Sequence, residues 1–243
     1  MAQTTDKPIL GDANIASVAA LLADPARVNI LMALSDGRAF TASELAKRAR
    51  VAPSTASAHL ARLVEYSLIT VEKQGRHRYF RLADPAIVGI LESLALFAPS
   101  TPVRSLHDST IGGAVRRGRT CYNHLAGMLG VGLTQALQEK EILIALEDGG
   151  YTLSKQGTQW FLDFGVNWAP LNRGAQLLVP WHIDWSERRH HLAGALGAAF
   201  MQRLFELDWI KRIPSSRAVR VTDTGQEALL KSLGMCWENK EIS

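Results

Sequence analysis

Residues 41–66 constrain this chain more than any other stretch. Thr41 is followed three residues later by Glu44. That is the capping-box pattern, in which hydroxyl and carboxylate each satisfy a backbone N–H left without a partner at a helix start. It predicts a short helix from Ala42 to Ala49 with Leu45 and Ala46 inward. Val51-Ala52 turns the chain. Pro53, preset for a first helical position, then opens a second helix over residues 53–66, whose Leu60, Leu63 and Val64 form the inward stripe. A capped helix, a tight turn and a second helix make the helix-turn-helix plan, in which the N-terminal end of the second helix meets base edges in the major groove. Small hydroxyl residues suit that end, and Ser54, Thr55 and Ser57 stand there.

The flanks agree with this plan. Residues 14–22 show a helical apolar period, and Asp24-Pro25 restarts the chain into a helix carrying Val28, Ile30, Leu31 and Leu34, ended by Asp36-Gly37. After the motif, residues 68–73 and 77–82 read as two strands around Gln74-Gly75-Arg76. Such a hairpin forms a wing that lies along the DNA backbone or minor groove. Asp84-Pro85 opens a helix from Ala86 to Phe97, and two prolines in residues 98–102 mark a linker.

Charge is concentrated in the same place. From residue 38 to 81 there are nine Lys or Arg and three Glu, a local surplus of +6 against +4 for the whole chain. A solvated charged face is the plain reading of such a run; inside a helix-turn-helix it becomes the electrostatic footprint of a DNA reader. The expected DNA-contacting residues are Thr41, Ser54, Thr55, Ser57, His59, Arg62, Lys73, Arg76, His77, Arg78 and Tyr79.

Three segments resemble ArsR/SmtB-type repressors, in the right order: residues 24–31 (DPARVNIL), residues 53–63 (PSTASAHLARL) and residues 75–82 (GRHRYFRL). The resemblance covers residues 14–97 and describes a long form with an extra C-terminal region. It implies a homodimer built on the first and last helices of this domain, a palindromic operator, and release when an effector binds. Two departures matter. Where the family often has a long polar side chain, this chain has Ala58, which implies fewer direct base contacts. The family's usual metal sites are also missing: residues 43–47 carry no thiol, and the helix after the wing has Glu92 as its one ionisable residue.

Any sensor is therefore expected after residue 102, where the chain repeats itself. Residues 124–130 (HLAGMLG) and 191–197 (HLAGALG) agree at six of seven positions at an offset of 67. Each copy, at about 115–166 and 186–235, reads as helix, hairpin, helix. The expected fold is mainly α with small β-hairpins (α+β): a winged helix-turn-helix domain in residues 1–100, then a duplicated helix-hairpin-helix effector region in residues 103–243. Two like units leave either a ligand-binding crevice or merely a shared core. The Gly127/Gly130 and Gly194/Gly197 spacing suits close helix packing. All six tryptophans lie at or after residue 160, as core anchors or as the lining of a site for a flat organic molecule.

Cys121 and His124, read as i and i+3 on one helix, share a face suited to a soft ion. His182, Trp185, His190 and His191 complete the candidate effector or metal residues. The Asp-Trp-Ser-Glu-Arg run at residues 184–188 resembles a long-form subgroup that tends to have Cys where His182 stands, which makes a Cys121–His182 pair conceivable. Arg116, Arg117 and Arg119 lie near enough in sequence to lower the Cys121 pKa and make it reactive; a buried cysteine acting as a small hydrophobe is the plainer alternative. The sequence does not name the effector; a soft metal ion, an oxidant or a small organic molecule are the candidates.

The expected function is transcription regulation by a DNA-binding, homodimeric, cytoplasmic repressor, with a constitutive DNA binder as the alternative. No nucleophile elbow, P-loop, dinucleotide fingerprint or paired-carboxylate motif occurs, so an enzyme is not expected. No run of 18 apolar residues and no signal-like N-terminus occur either, so neither membrane nor secretion is expected. Two cysteines are too few for a disulfide framework.

Overall fold

The computed structural model describes residues 13–99, 106–167, 179–214 and 216–239. Trp168, most of the residue 98–102 linker, the N-terminal ten residues and Ser215 of one expected hairpin turn lie outside these. The chain divides into two compact units: residues through Leu34 with Arg38–Asp84, and Ser35–Gly37 with the chain from Pro85 onward.

The first unit begins with α1 (Ile15–Leu22), capped by Asn14, whose Oδ1 accepts from Ser17 N at 3.2 Å. In α2 (Pro25–Leu34), Asp24 Oδ1 accepts from Arg27 N at 3.0 Å, and Ile30, Leu31 and Leu34 are buried. Then come β1 (Phe40–Thr41), α3 (Ala42–Ala49), α4 (Pro53–Glu65), β2 (Ile69–Gln74) and β3 (His77–Leu82). The strands form an antiparallel sheet in the order β1-β3-β2. The capping box is present: Thr41 Oγ1 accepts from Glu44 N, and Glu44 Oε2 accepts from Thr41 N at 2.8 Å. Leu45, Ala46 and Ala49 of α3 share a core with Ala56, Leu60 and Leu63 of α4 and with Ile69, Phe80 and Leu82 of the wing's base. Burying each large aliphatic side chain contributes about 1.5–3 kcal/mol, which fixes α4 and the wing in one unit.

The second unit opens with α5 (Ala86–Phe97) and α6 (Leu106–Arg117). It continues with β4 (Arg119–Cys121), β5 (His124–Ala126), α7 (Gly127–Glu139), β6 (Leu143–Ala145), β7 (Tyr151–Leu153) and α8 (Lys155–Asp163). The same order returns in β8 (Trp181–Ile183), β9 (His190–Leu192), α9 (Gly194–Glu206), β10 (Ile210–Arg212), β11 (Val219–Val221) and α10 (Asp223–Leu233). Each strand pair is an antiparallel hairpin. A hairpin thus precedes α7, where the sequence reading puts Cys121 and His124 on one helix, and another precedes α9. Ser154 caps α8 through Gly157 N (2.8 Å), and Thr222 caps α10 through Gly225 N (2.9 Å).

The Gly-x-x-Gly spacing admits close approaches of both kinds: a Cβ on Gly127 would lie 2.5 Å from Arg116 O of α6, while the second glycine of each run meets a strand. A Cβ on Gly130 would lie 2.3 Å from Leu125 O, and one on Gly197 would lie 2.9 Å from Leu192 O. Leu129, Leu133 and Leu137 of α7 share the core with Leu196, Phe200 and Leu204 of α9 and with Phe161 of α8. Trp160 stacks on Phe164 at 4.9 Å, and Trp209 meets Phe164 edge-on, so these two tryptophans are core anchors. Between α7 and α9, the space lined by Leu125, Gly130, Leu133, Thr134, Leu192, Gly197 and Phe200 measures only about 10 Å³. That holds a single water at most, so at this point the two helices share a core.

Candidate functional site

The first candidate surface is built by α4 and the wing. α4 has no side-chain cap: Ala52 stands at the N-cap and Pro53 follows it. The first-turn N–H groups therefore lack a side-chain acceptor, and a helix N-terminus in that condition favours phosphate. Ser54, Thr55, Ser57, Ala58 and Arg62 are all exposed. Ser57 Oγ donates to Pro53 O at 2.9 Å, which leaves its lone pairs to accept. Arg62 lies 3.7 Å from Glu65 and 5.9 Å from the Tyr66 ring. The Thr41 hydroxyl is committed to Glu44 Oε2 at 2.8 Å. His59 is half-buried, with Nε2 3.9 Å from Asp24 Oδ1, so it leans toward the cap of α2.

In the wing, Lys73 stands directly opposite Arg78, and Gln74 opposite His77, around a turn led by Gly75 at φ +60°. Lys73, Arg76, His77 and Arg78 are exposed, and Tyr79 is half-buried. Like charges facing each other across a strand pair disfavour it by a few tenths of a kcal/mol up to about 1 kcal/mol. The sequence keeps the pair, which suits a wing that meets a polyanion. Arg76 Nε approaches His77 Nε2 at 3.3 Å.

The second candidate site lies within the second unit. Cys121 pairs with His124 across the Tyr122-Asn123 turn, and His182 pairs with His191 across β8–β9. This corrects the helical reading of Cys121 and His124. Tyr122 takes a left-handed φ of +57°, and α7 starts only at Gly127. One ligand atom from each of Cys121, His124, His182 and His191 lies within 4.8 Å of all the others. His124 Nε2, His182 Nδ1 and both nitrogens of His191 are buried without a hydrogen-bond partner. Burial holds the His124 imidazole well below its usual range, brings His191 down to about 3 and lowers His182, so all three are neutral near pH 7.

The surroundings of Cys121 run against the reactive-thiol expectation. Cys121 is fully buried, and burial pushes its thiol up with help from the Glu92 carboxylate, outweighing the downward pull of Arg217 and Arg119. Trp185 and His190 stand apart from the four-residue cluster. The Trp185 ring lies 4.7 Å from the Arg119 guanidinium. His190 stacks on Trp181 at 4.0 Å and, with Gln135, Tyr151, Arg188 and Arg189, borders a cleft of about 320 Å³.

Sequence reasoning missed the ion network beside the cluster. Arg119, fully buried, donates to Asp184 Oδ2 (2.9 Å) and Glu92 Oε2 (3.2 Å), and Arg217 donates to Glu92 Oε1 (3.3 Å). Asp184 also accepts from Gly127 N (2.6 Å), Ser186 N (2.9 Å), Ser186 Oγ (2.7 Å) and Glu187 N (3.0 Å). Burial opposes its ionisation, but Arg119 and these donors hold it at about 2. The available signal was the pair of isolated charges, Glu92 in an apolar helix and Asp184 beside Trp185.

A helix-turn-helix domain model matches residues 22–72. The uncharacterized HTH-type transcriptional regulator YdfF of Bacillus subtilis (strain 168) is 42% identical over 222 residues, covering 91% of this chain and 98% of its own. Among solved structures, reduced HlyU from Vibrio cholerae N16961 aligns over 35% of this chain and 90% of its own, with 23% identity and a TM-score of 0.32. The transcriptional repressor BigR from Xylella fastidiosa aligns over 36% of this chain and 88% of its own, with 18% identity and a TM-score of 0.33.

Proposed function

Because this chain belongs to the helix-turn-helix transcriptional regulators, and so is a DNA-binding regulator, we propose that it is a repressor of the ArsR type that acts as a homodimer and lets go of its operator when an effector engages the second unit. The observation that carries this reading is the open N-terminus of α4, with Ser54, Thr55 and Ser57 exposed, on the same unit as the opposed Lys73–Arg78 pair of the wing. Phosphate contacts from the wing and helix end position such a unit, and the hydroxyls contact base edges.

Dimerisation is supported by apolar side chains left outside. Ile15 on α1 is 75% exposed, and Ile90, Leu94 and Phe97 on α5 are 53%, 51% and 88% exposed. A two-fold dimer reads two half-sites about 34–36 Å apart. The match to the Bacillus relative spans far more than the helix-turn-helix segment, so the second region is shared with it. We read residues 1–100 as the DNA-binding and dimerisation part, although α5 packs within the second compact unit, and residues 103–243 as a duplicated helix-hairpin-helix effector region. The repeated His-Leu-Ala-Gly run and the matching element order support the duplication. A regulator of this kind works in the cytoplasm, where bacterial DNA is.

Deleting the gene and measuring transcripts tests the repressor role. Transcripts from the promoters that the protein occupies are expected to rise, and restoration is expected with the wild-type chain but not with a Leu94→Asp/Phe97→Asp variant, which is expected to elute as a monomer. Falling transcripts, or a variant that remains dimeric and restores repression, would contradict the reading.

A further inference from the structure

We propose that Cys121, His124, His182 and His191 bind one divalent transition-metal ion of zinc-like character, in a tetrahedral set of one sulfur and three nitrogens that ties hairpin β4–β5 to hairpin β8–β9. Each hairpin supplies a cross-strand pair, so the two ligand pairs come from corresponding hairpins of the two repeats. The same cross-repeat arrangement brings His124 and His191 to ring centroids 5.2 Å apart and His124 and His182 to 4.9 Å.

A histidine buried for structure is expected to have its ring nitrogens paired, because each unpaired buried polar group costs about 1–3 kcal/mol. Here four ring nitrogens on three neighbouring histidines are buried without a hydrogen-bond partner around one thiol, His191 Nδ1 lying 3.9 Å from Asp184 Oδ2. A metal ion satisfies the one nitrogen per ring that faces it. A proton on His124 Nδ1 would suit its contact with Asn123 Oδ1 at 3.4 Å and leave the Nε2 lone pair for the ion.

The donor set selects the ion. A thiol with three imidazoles and no oxygen ligand excludes calcium and magnesium chemistry and matches zinc, cobalt or their neighbours. Zn–N and Zn–S bonds of ordinary length place tetrahedral ligand atoms about 3.3–3.8 Å apart. Atoms within 4.8 Å of one another therefore need draw in by only about an ångström. Binding displaces the Cys121 thiol proton to solvent as the metal–sulfur bond forms. Gly197, where a Cβ would lie 3.1 Å from that of His124, leaves room for the His124 side chain beside α9. Neither α3 nor α5 contributes a ligand, so the site is separate from the family's usual ones.

The test is Co2+ titration of the chelator-treated full-length chain, with no DNA present, so that its outcome is independent of operator binding. One Co2+ per chain is expected. It should give the strong visible bands of tetrahedral cobalt with a near-ultraviolet thiolate charge-transfer band, and Zn2+ should displace it. Cys121→Ser should abolish the charge-transfer band while Cys236→Ser leaves it. His182→Gln, a change at a half-buried hairpin position, should weaken binding at least tenfold with an unchanged circular dichroism spectrum. Absence of stoichiometric Co2+ and Zn2+ binding, or a charge-transfer band that persists in Cys121→Ser, would overturn the proposal.

Discussion

Replacing Asp184 with alanine is expected to destabilise the second unit by about 3–5 kcal/mol, the range seen when one partner of a buried ion pair is removed. Asp184 and Arg119 are both fully buried and 2.9 Å apart. Without the carboxylate, the Arg119 charge keeps one anionic partner among the described residues, Glu92, which it shares with Arg217, beside the neutral Ser186 hydroxyl and Trp185 ring, and Gly127 N and Glu187 N lose their acceptor. Such a loss is a large part of the roughly 5–15 kcal/mol that holds a domain folded. Urea unfolding followed by tryptophan fluorescence measures it directly, because all six tryptophans lie at or after residue 160. Pairing Asp184→Ala with Arg119→Met should cost less than the sum of the two, since the orphaned charge is then gone. A cost below about 1 kcal/mol for Asp184→Ala would show that the network is not what holds β4, α5 and the β8–β9 loop together.

The second large effect is expected at the wing. Removing Lys73 and Arg78 together deletes four cationic groups from a dimer. If each neutralises one phosphate, the slope of log affinity against log salt should fall by about 3.6, and affinity at 0.1 M salt by roughly a thousandfold. Fold stability should hold or rise slightly, since the two cations face each other across β2–β3. Fluorescence anisotropy over a salt series, with thermal unfolding as the control, separates the two quantities. An unchanged salt slope would mean that the wing does not lie on the phosphate backbone.

The DNA-reading unit was legible because its signals are local. Thr41 with Glu44 sets one helix start, Pro53 sets the next, and Gly75 sets the turn, each within a few residues of the element it controls. The two-residue β1 was not foreseen, since it is too short to show a period. His59 was read as a DNA contact from its place in α4, but its tilt toward Asp24 depends on where α2 packs. The second site was legible as a list of residues and not as a place. The strands carrying Cys121 and His124 are three residues each, and the apolar run after them reads as a helix from its first residue. His182 and His191 reach Cys121 through pairings between residues about sixty or more positions apart. The Glu92–Arg119–Asp184 network depends on the same long-range contacts, which no local pattern reports.

The most direct test of the central claim, that this chain is a sequence-reading DNA regulator, is the ratio of its affinities for two duplexes at one salt concentration. One carries the promoter segment it protects in a footprint; the other carries the same bases scrambled. With exposed hydroxyls on α4 contacting base edges, the first should bind at least about a thousandfold more tightly. Equal binding to both would contradict the claim.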